Sequence, residues 1–506
     1  MEIHMLMVIF STSVIAGQIQ AAKLEDKEFW YKKGKDQLRK ISETFAGNVF
    51  ASATNVIIFI GDGMSISTIT TARIYKNSKS DTNEGQPLYF ENFPCVGYMK
   101  TYNVDHLVTD GAASATAMFT GSKTKEGRIG IDSTLELNCD DGKHPSSRLS
   151  SISEWAAKSS KWVGIVTNTR ITDATPAAMY AHIPDRHWEC DVPNEFKKCF
   201  KDIATQLVED SPGTYIRVFL GGGLDVMGVT KSDYCRNRKK NLVEYWLNNK
   251  KRNGATFVKN AKELNDLKRT RTDFLMGLFS EGSMPYNLER DTSPTGQPSL
   301  KEMTEKALEI LSKNENGFIL LVENGLIDKA HHMNAVKLAL DETLELEKAV
   351  ELAATKTRKD RTLIIVTADH SQGLGFHGNT KRGSSLLGKA GDMNWDILFY
   401  GTGPGARRNN LSTCENDTTS SRYTANAHYY SPQSVHTGED VVVYARGPGA
   451  SLLVGNYEQS YIAHAISFAA AITAFANMIT PQSYIVLLSL TLYIILSNNN
   501  ITLKCR

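Results

Sequence analysis

Carboxylate and imidazole side chains recur in this sequence at spacings that suit metal binding. Asp328 and His332 are four residues apart, so on a helix both side chains would lie on the same face at metal-ligand distance. Asp369 and His370 are adjacent, and His436 stands in a polar segment further along the chain. These groups suit two zinc ions, and a magnesium ion prefers harder oxygens. Three further residues offer such oxygens: Asp62, Thr175 and Glu323.

The elements that position these residues are predicted from apolar runs. Four runs are typical of buried strands: 55–60, 162–167, 317–323 and 362–370. Helical patterns such as 334–354 lie between them, which predicts an α/β fold with a mostly parallel central sheet and helices on both faces. Ligands gather beyond the carboxyl ends of such strands, where Asp62, Glu323, Asp369 and His370 lie. A lone aspartate after a strand is most often a turn or a helix cap, but this repetition favours a site.

The composition describes an ordinary globular chain of 506 residues, 41% hydrophobic and 22% charged. The net charge of +2, without a block of basic residues interleaved with aromatics, argues against nucleic acid as a partner. No repeat or linker divides residues 23–475, which we predict to form one domain. Within it, residues 375–444 are rich in glycine and polar residues, which predicts an inserted, loop-rich subdomain.

Both ends of the chain carry apolar segments that suit export and anchoring. Residues 1–22 contain an apolar core of signal-peptide length, with a buried N-terminal strand as the alternative. Within residues 476–506, the apolar run 484–496 is short for a membrane span and follows small residues. This favours a glycosylphosphatidylinositol (GPI) anchor on the outer face of the plasma membrane, with a short transmembrane anchor as the alternative. Glycosylation sequons at Asn410 and Asn416 agree with export.

Between about Phe29 and Ala470, the chain resembles alkaline phosphatases through several strings that occur in the order typical of that family. The strings are Asn55–Met64, Thr101–Asp105, Thr367–Ser371 and His436–Val441. The resemblance implies hydrolysis of phosphate monoesters and the following metal ligands: Asp328, His332 and His436 for the first zinc, Asp62, Asp369 and His370 for the second, and Asp62, Thr175 and Glu323 for magnesium. It also implies that Arg186 grips two phosphate oxygens with its planar guanidinium group and that Asp110 orients Arg186.

The chain departs from this resemblance at the family's nucleophile. The string Val108–Thr116 keeps the family's spacing but has Gly111 where the attacking serine belongs. Ser114 is the nearest hydroxyl, but it lies about one helical turn further on, so we expect it to be a packing residue. The loss of the hydroxyl removes covalent catalysis and leaves the metals and Arg186 in place. We therefore expect weak hydrolysis in which water attacks phosphorus directly.

Two other departures concern the surroundings of the phosphate. Asp173 and Lys329 stand where vertebrate members of the family carry histidines, and we expect these two side chains to form an ion pair. Ser280 stands where the vertebrate enzymes have a carboxylate ligand for calcium, so we do not predict calcium.

The resemblance also carries predictions about covalent and subunit structure. It implies a disulfide between Cys139 and Cys199, and it matches Phe29–Tyr31 to an N-terminal arm that crosses to the partner subunit of a homodimer. The pairing of the other five cysteines stays open: 95, 190, 235, 414 and 505.

Three hypotheses for the function remain. The chain is a working phosphomonoesterase with weakened chemistry, a silent protein that binds metals and phosphate, or a surface receptor or structural glycoprotein that keeps only the fold. All nine positions assigned to metals or phosphate carry suitable side chains, which favours retained binding of both. The resemblance implies a site that grips the phosphoryl group and leaves the alcohol part of the substrate in solvent.

Overall fold

The computed structural model of the chain describes residues 25–44, 52–78, 85–137, 147–235, 238–378, 380–389, 396–406 and 417–472. The predicted signal peptide, the asparagines of both sequons and the predicted C-terminal anchor lie outside these residues. No helix within the described ranges is both long and apolar enough to cross a membrane.

The described residues contain fifteen strands, which in chain order are β1 (Asn55–Gly61), β2 (Cys95–Lys100), β3 (Trp162–Arg170), β4 (Val218–Gly222), β5 (Ala255–Val258), β6 (Phe274–Leu278), β7 (Phe318–Asn324), β8 (Thr362–Thr367), β9 (Ser371–Gln372), β10 (Leu374–Phe376), β11 (Leu398–Gly403), β12 (Ala427–Tyr430), β13 (His436–Thr437), β14 (Val441–Arg446) and β15 (Gly455–Glu458).

They also contain twelve α-helices: α1 (Lys27–Thr44), α2 (Ile66–Ser78), α3 (Gly111–Thr120), α4 (Ile152–Lys158), α5 (Ala174–Ala177), α6 (Ile203–Glu209), α7 (Leu242–Lys250), α8 (Ala261–Asn265), α9 (Leu300–Leu311), α10 (Leu326–His332), α11 (Val336–Lys356) and α12 (Tyr461–Ala469). Short 3-10 helices span Tyr89–Asn92, Asn194–Phe196, Gly213–Tyr215, Lys251–Asn253, Arg269–Arg271 and Ala450–Leu453.

Ten strands form one large sheet in the order β15-β2-β14-β8-β1-β7-β3-β4-β6-β5. All neighbouring pairs are parallel except those of β14, which runs antiparallel to β2 and to β8. The predicted mostly parallel sheet flanked by helices is therefore confirmed. The four strands predicted from apolar runs are β1, β3, β7 and β8, and they are adjacent in the sheet. Their side chains are almost all buried, as expected for parallel strands covered on both faces.

The region predicted as an inserted subdomain, residues 375–444, contributes strands to two smaller sheets. Strands β10, β11 and β12 form one, and the short strands β9 and β13 pair antiparallel. The second pairing places His436 opposite Gln372, close to Asp369 and His370. The chain then re-enters the large sheet at Val441, the first residue of β14.

The N-terminal helix α1 packs against α12 of the same chain. Trp30 on this helix is fully buried, and its indole nitrogen donates to the carbonyl of Glu25. The homodimer implied by the resemblance stays a prediction, since the structure contains a single chain.

Two disulfides involve described residues. Cys190 and Cys235 form one, a pairing that the sequence left open. Cys199 is also disulfide-bonded, and its partner lies outside the described residues, as does Cys139, the predicted partner. Among the described cysteines Cys95 is a free thiol.

Candidate metal centre

The first group of metal-ligating side chains comes from α10 and β13. Asp328 Oδ2 lies 3.0 Å from His332 Nε2 on the same face of α10, as their spacing predicts. His436 Nε2 lies 3.3 Å from His332 Nε2 and 3.7 Å from Asp328 Oδ1. One ligand atom from each residue falls within 4.8 Å of the others, so a single ion can be held by all three.

Backbone carbonyls fix how these two imidazoles are turned. His332 Nδ1 lies 2.5 Å from the carbonyl of Ser434, and His436 Nδ1 lies 3.0 Å from the carbonyl of Thr109. In each ring the Nδ1–H donates to a carbonyl, which leaves Nε2 as the metal ligand.

The second group lies at the ends of β1 and β8. Ligand atoms of Asp62, Asp328 and His370 fall within 4.8 Å of one another. His370 Nε2 also lies 3.3 Å from Asp369 Oδ2, and the rings of His370 and His436 stack with centroids 3.6 Å apart. The residues predicted for two zinc ions therefore lie close together, but the second group contains Asp328 where Asp369 was predicted, so Asp328 belongs to both groups.

Two buried carboxylate oxygens show that this cluster suits cations. Asp62 Oδ1 and Asp369 Oδ2 are buried without a hydrogen-bond partner among the described residues. Burial first, and then the charges of Asp369, Asp328 and Glu323, raise the pKa of Asp62 well above its ordinary value. Buried, crowded carboxylates are costly unless a cation compensates them, so the donor set fits divalent metals.

The residues predicted for magnesium surround the end of β7. Glu323 Oε2 accepts hydrogen bonds from Thr167 and, at 3.2 Å, from Thr169, and Thr175 donates to the same side chain. Burial, followed by the charge of Asp173, raises the pKa of Glu323 to about 7. An oxygen-only group of this kind matches the preference of magnesium.

Arg186 is fixed beside the cluster by two carboxylates. Its Nη1 donates to Asp110 Oδ2 and its Nη2 donates to Asp173 Oδ1, both at 3.1 Å. Asp110 also caps α3 by accepting from the backbone N–H of Ala113 at 3.0 Å. Burial opposes ionisation of Asp110, but Arg186 and two backbone hydrogen bonds outweigh it and lower the pKa of this carboxyl group.

Asp173 and Lys329 form the ion pair expected from the sequence, with Nζ 3.1 Å from Oδ2. Lys329 also donates to Ser283 Oγ at 2.6 Å. Although burial opposes it, the positive charges of Lys329 and Arg186 lower the pKa of Asp173. The carboxylate is therefore ionised and shared between two cations.

Gly111 is the first residue of α3 and is buried. A Cβ atom at this position would lie 3.1 Å from Asp369 Oδ2 and 3.7 Å from Arg186 Nη1. Position 111 therefore faces both the metal cluster and the guanidinium group. Ser114 points elsewhere, since its Oγ donates to the carbonyl of Asp369 at 2.8 Å.

Several polar contacts of the site were missed in the sequence. Gln372 Nε2 donates to Asp328 Oδ1 at 2.5 Å, and the backbone N–H of Gly63 donates to Asp369 Oδ1 at 3.1 Å. Gln372 is two residues after His370 and Gly63 directly follows Asp62, so their positions in the sequence could have indicated that they belong to the site. Gln459, which contacts Asp369, is 90 residues away from it and carried no such signal.

A mostly parallel sheet with a carboxylate and imidazole cluster at the carboxyl ends of its strands, and a fixed guanidinium group beside it, defines an α/β protein built to hold metals and an anion. The sequence profile of the family described as alkaline phosphatase matches residues 53–472. The chain therefore belongs to the alkaline phosphatase family.

Similar proteins agree with this family, and a solved structure agrees with the fold. The chain is 40% identical to alkaline phosphatase 4 of Drosophila melanogaster, over 88% of this chain and 82% of that protein. It is 36% identical to the membrane-bound alkaline phosphatase of Bombyx mori, over 90% of this chain and 88% of that protein. The crystal structure of Thermus thermophilus alkaline phosphatase covers 84% of this chain and 93% of its own, with a TM-score of 0.61 and 23% identity. At that identity the structural likeness shows the fold alone.

Proposed function

We propose that this protein hydrolyses phosphate monoesters slowly at its metal centre, without forming a phosphoserine. Membership of the alkaline phosphatase family supports the reaction class. The glycine at position 111 supports the change in mechanism, because it stands where the family's nucleophilic serine is expected.

The atoms that surround Gly111 support this proposal most directly. A Cβ there would lie within 3.7 Å of both Asp369 Oδ2 and Arg186 Nη1, so this position adjoins the metal cluster and the phosphate-binding cation together. The cluster retains its carboxylates and imidazoles while the position between them lacks a hydroxyl. The protein should therefore bind metals and phosphate but lack covalent catalysis.

Three sets of residues would hold the metals: Asp328, His332 and His436 for one zinc, Asp62, Asp369 and His370 for the other, and Asp62, Thr175 and Glu323 for magnesium. When bound, such ions supply Lewis-acid polarisation of the phosphoryl group and neutralise charge on the leaving oxygen.

The chain's own residues determine the rest of the reaction. Arg186 binds two phosphoryl oxygens with its planar fork, and Asp110 and Asp173 hold that fork in place before the substrate arrives. Gly111 has no oxygen that can bond to phosphorus, so the oxygen that displaces the alcohol comes from water. A single displacement of this kind inverts the configuration at phosphorus, whereas two successive displacements through serine retain it.

A second candidate, a silent binder of metals and phosphate, is favoured by the same glycine. Ser114 does not replace the missing group, because its hydroxyl is engaged with a backbone carbonyl. Turnover is the property that separates the two candidates.

The deciding experiment compares the metal-loaded protein with its Gly111→Ser variant on an aryl phosphate at alkaline pH. Gly401→Ser is the matched control, because a Cβ at Gly401 meets nothing within 4 Å. We expect Gly111→Ser to raise the rate by about two orders of magnitude or more, as restored covalent catalysis should, and Gly401→Ser to leave it unchanged. A chiral phosphate ester should show inversion with the natural protein and retention with Gly111→Ser.

Equal rates for the natural protein and Gly111→Ser, or phosphate trapped on Ser114, would contradict the mechanism. Absence of zinc-dependent turnover in the natural protein, with retained phosphate binding, would instead support the silent binder.

We further infer that the protein is exported, forms a homodimer and is held at the outer membrane surface by a lipid anchor. Relatives include a protein named membrane-bound alkaline phosphatase, and the apolar run 484–496 suits an anchor signal. Release from intact cells by phosphatidylinositol-specific phospholipase C tests the anchor; protein retained wholly on the membrane would argue for a span.

A further inference from the structure

Gln459 follows β15 directly and is fully buried beside the metal centre. Its amide nitrogen donates to the backbone carbonyl of Asp369 at 2.6 Å and to Ser114 Oγ at 2.8 Å. Ser114 Oγ donates to the same carbonyl at 2.8 Å. The three groups form a closed triangle of buried hydrogen bonds.

The carbonyl of Asp369 needs these donors because it lies between two strands. Strand β8 ends at Thr367 and β9 begins at Ser371, so neither ladder includes this peptide group. A buried backbone acceptor outside the ladders must find other partners. The peptide bond concerned joins Asp369 to His370, and its orientation sets the direction of both side chains.

The triangle also ties this peptide to the position where the nucleophile is missing. Ser114 lies three residues after Gly111 on α3, and Asp369 Oδ2 lies 3.1 Å from where a Cβ of residue 111 would stand. The backbone of Asp369 is thus held by the helix that its carboxylate faces. A shift of this peptide would change the spacing between Asp369 and position 111.

Gln459 is itself held from two sides. Its backbone N–H donates to the carbonyl of Lys100 in β2 at 3.3 Å. The preceding residue, Glu458, pairs with the buried Lys123 at 3.0 Å and with Lys33 of α1 at 2.8 Å. These contacts hold the backbone of Gln459 in place, so its side-chain amide can position Asp369.

We propose that Gln459 is a positioning residue for the metal centre: through Ser114 and the carbonyl of Asp369 it holds Asp369 and His370 in the orientation that binds the second zinc. The inference rests on the metal centre of the proposed function but not on turnover.

The test measures zinc affinity by competition with a chromogenic chelator. Gln459→Met keeps the length of the side chain and removes the donor. Gln206→Met is the matched control, because Gln206 is also buried and its amide nitrogen donates to two carbonyls, those of His182 and Lys201, away from the metal ligands. We expect Gln459→Met to weaken one zinc site by about tenfold or more, the usual effect of losing a group that orients a ligand, and Gln206→Met to leave both sites unchanged.

Ser114→Ala provides a second, milder variant if Gln459→Met does not fold. It removes one donor and leaves Gln459 on the carbonyl, so we expect a smaller loss at the same zinc site. Natural zinc affinity in folded Gln459→Met, natural affinity in Ser114→Ala, or equal weakening by Gln206→Met would each overturn the inference. A natural protein that binds no zinc at all would instead overturn the metal centre on which it rests.

Discussion

Arg186 is the residue whose geometry most constrains what the site can bind. Two carboxylates take one N–H from each end of its guanidinium group and hold it rigid, and together they balance more than its charge. Lys329 adds a second cation on the other oxygen of Asp173. The guanidinium group is therefore a planar donor already in place, which suits an anion that can accept two parallel hydrogen bonds.

At this scale we predict that Arg186→Lys weakens binding of inorganic phosphate. Lysine keeps the charge but cannot donate two parallel hydrogen bonds, and hydrogen bonds to charged groups contribute about 1.5–3 kcal/mol. We expect a loss of about tenfold or more by calorimetric titration at fixed free zinc. Arg217→Lys is the control, since Arg217 stacks between the rings of Trp162 and Phe274 instead. Unchanged phosphate affinity in Arg186→Lys would show that Arg186 does not hold the phosphate.

The secondary-structure elements show which parts of the fold and the site could be predicted from sequence patterns. The strands before Asp62 and Asp369 were predictable because parallel strands buried on both faces are continuous apolar runs. The pairing of Asp328 with His332 followed from helical spacing alone. The triangle around Gln459 was not predictable, because it joins three distant segments through contacts that leave no periodic trace. The same holds for the disulfide Cys190–Cys235, whose ends meet only in the fold.

Helix α1 covers a buried charge whose role the sequence did not suggest. Lys123 is only 1% exposed; its Nζ lies 3.4 Å from the ring centroid of Tyr102 and 5.4 Å from that of Trp30 on α1. Burial lowers the pKa of Lys123 to about 8, although Glu458 opposes the shift. Because burial lowers the pKa of Lys123 in the folded chain, the free energy of unfolding depends on pH.

We predict that Lys123→Met removes part of this dependence. The ordinary pKa of 10.5 applies to the unfolded chain, so between about pH 8 and 10.5 the unfolded state binds more protons than the folded state. The contribution of Lys123 to the free energy of unfolding therefore rises with pH across this window. Denaturant unfolding at several pH values should give a less positive slope for Lys123→Met than for the natural protein. Identical slopes would mean that the pKa of Lys123 is not lowered in the folded chain.

On the scale of the whole molecule, the metal centre joins segments that are far apart in sequence. Its carboxylates and imidazoles come from the ends of β1, β7 and β8 in the large sheet, from helix α10, and from β13 in the two-stranded sheet. Without cations, the buried carboxylates of Asp62 and Asp369 repel each other and lack partners for one oxygen each among the described residues. Divalent ions should therefore stabilise the packing of the two-stranded sheet of β9 and β13 against the large sheet as well as the site itself.

We predict that removing metal with a chelator lowers the midpoint of thermal unfolding and that zinc restores it. A ligand that binds only the folded state at a hundredfold excess over its dissociation constant adds about 2.7 kcal/mol per site. Asp369→Asn should reduce this zinc-dependent increment, because it removes a predicted ligand charge. Asp396→Asn is the matched control: Asp396 is also buried but pairs with Lys389 outside the centre, so its loss should lower the baseline midpoint and keep the increment. If zinc leaves the midpoint of the natural protein unchanged, or if both variants lose the increment equally, the ligands do not act as assigned.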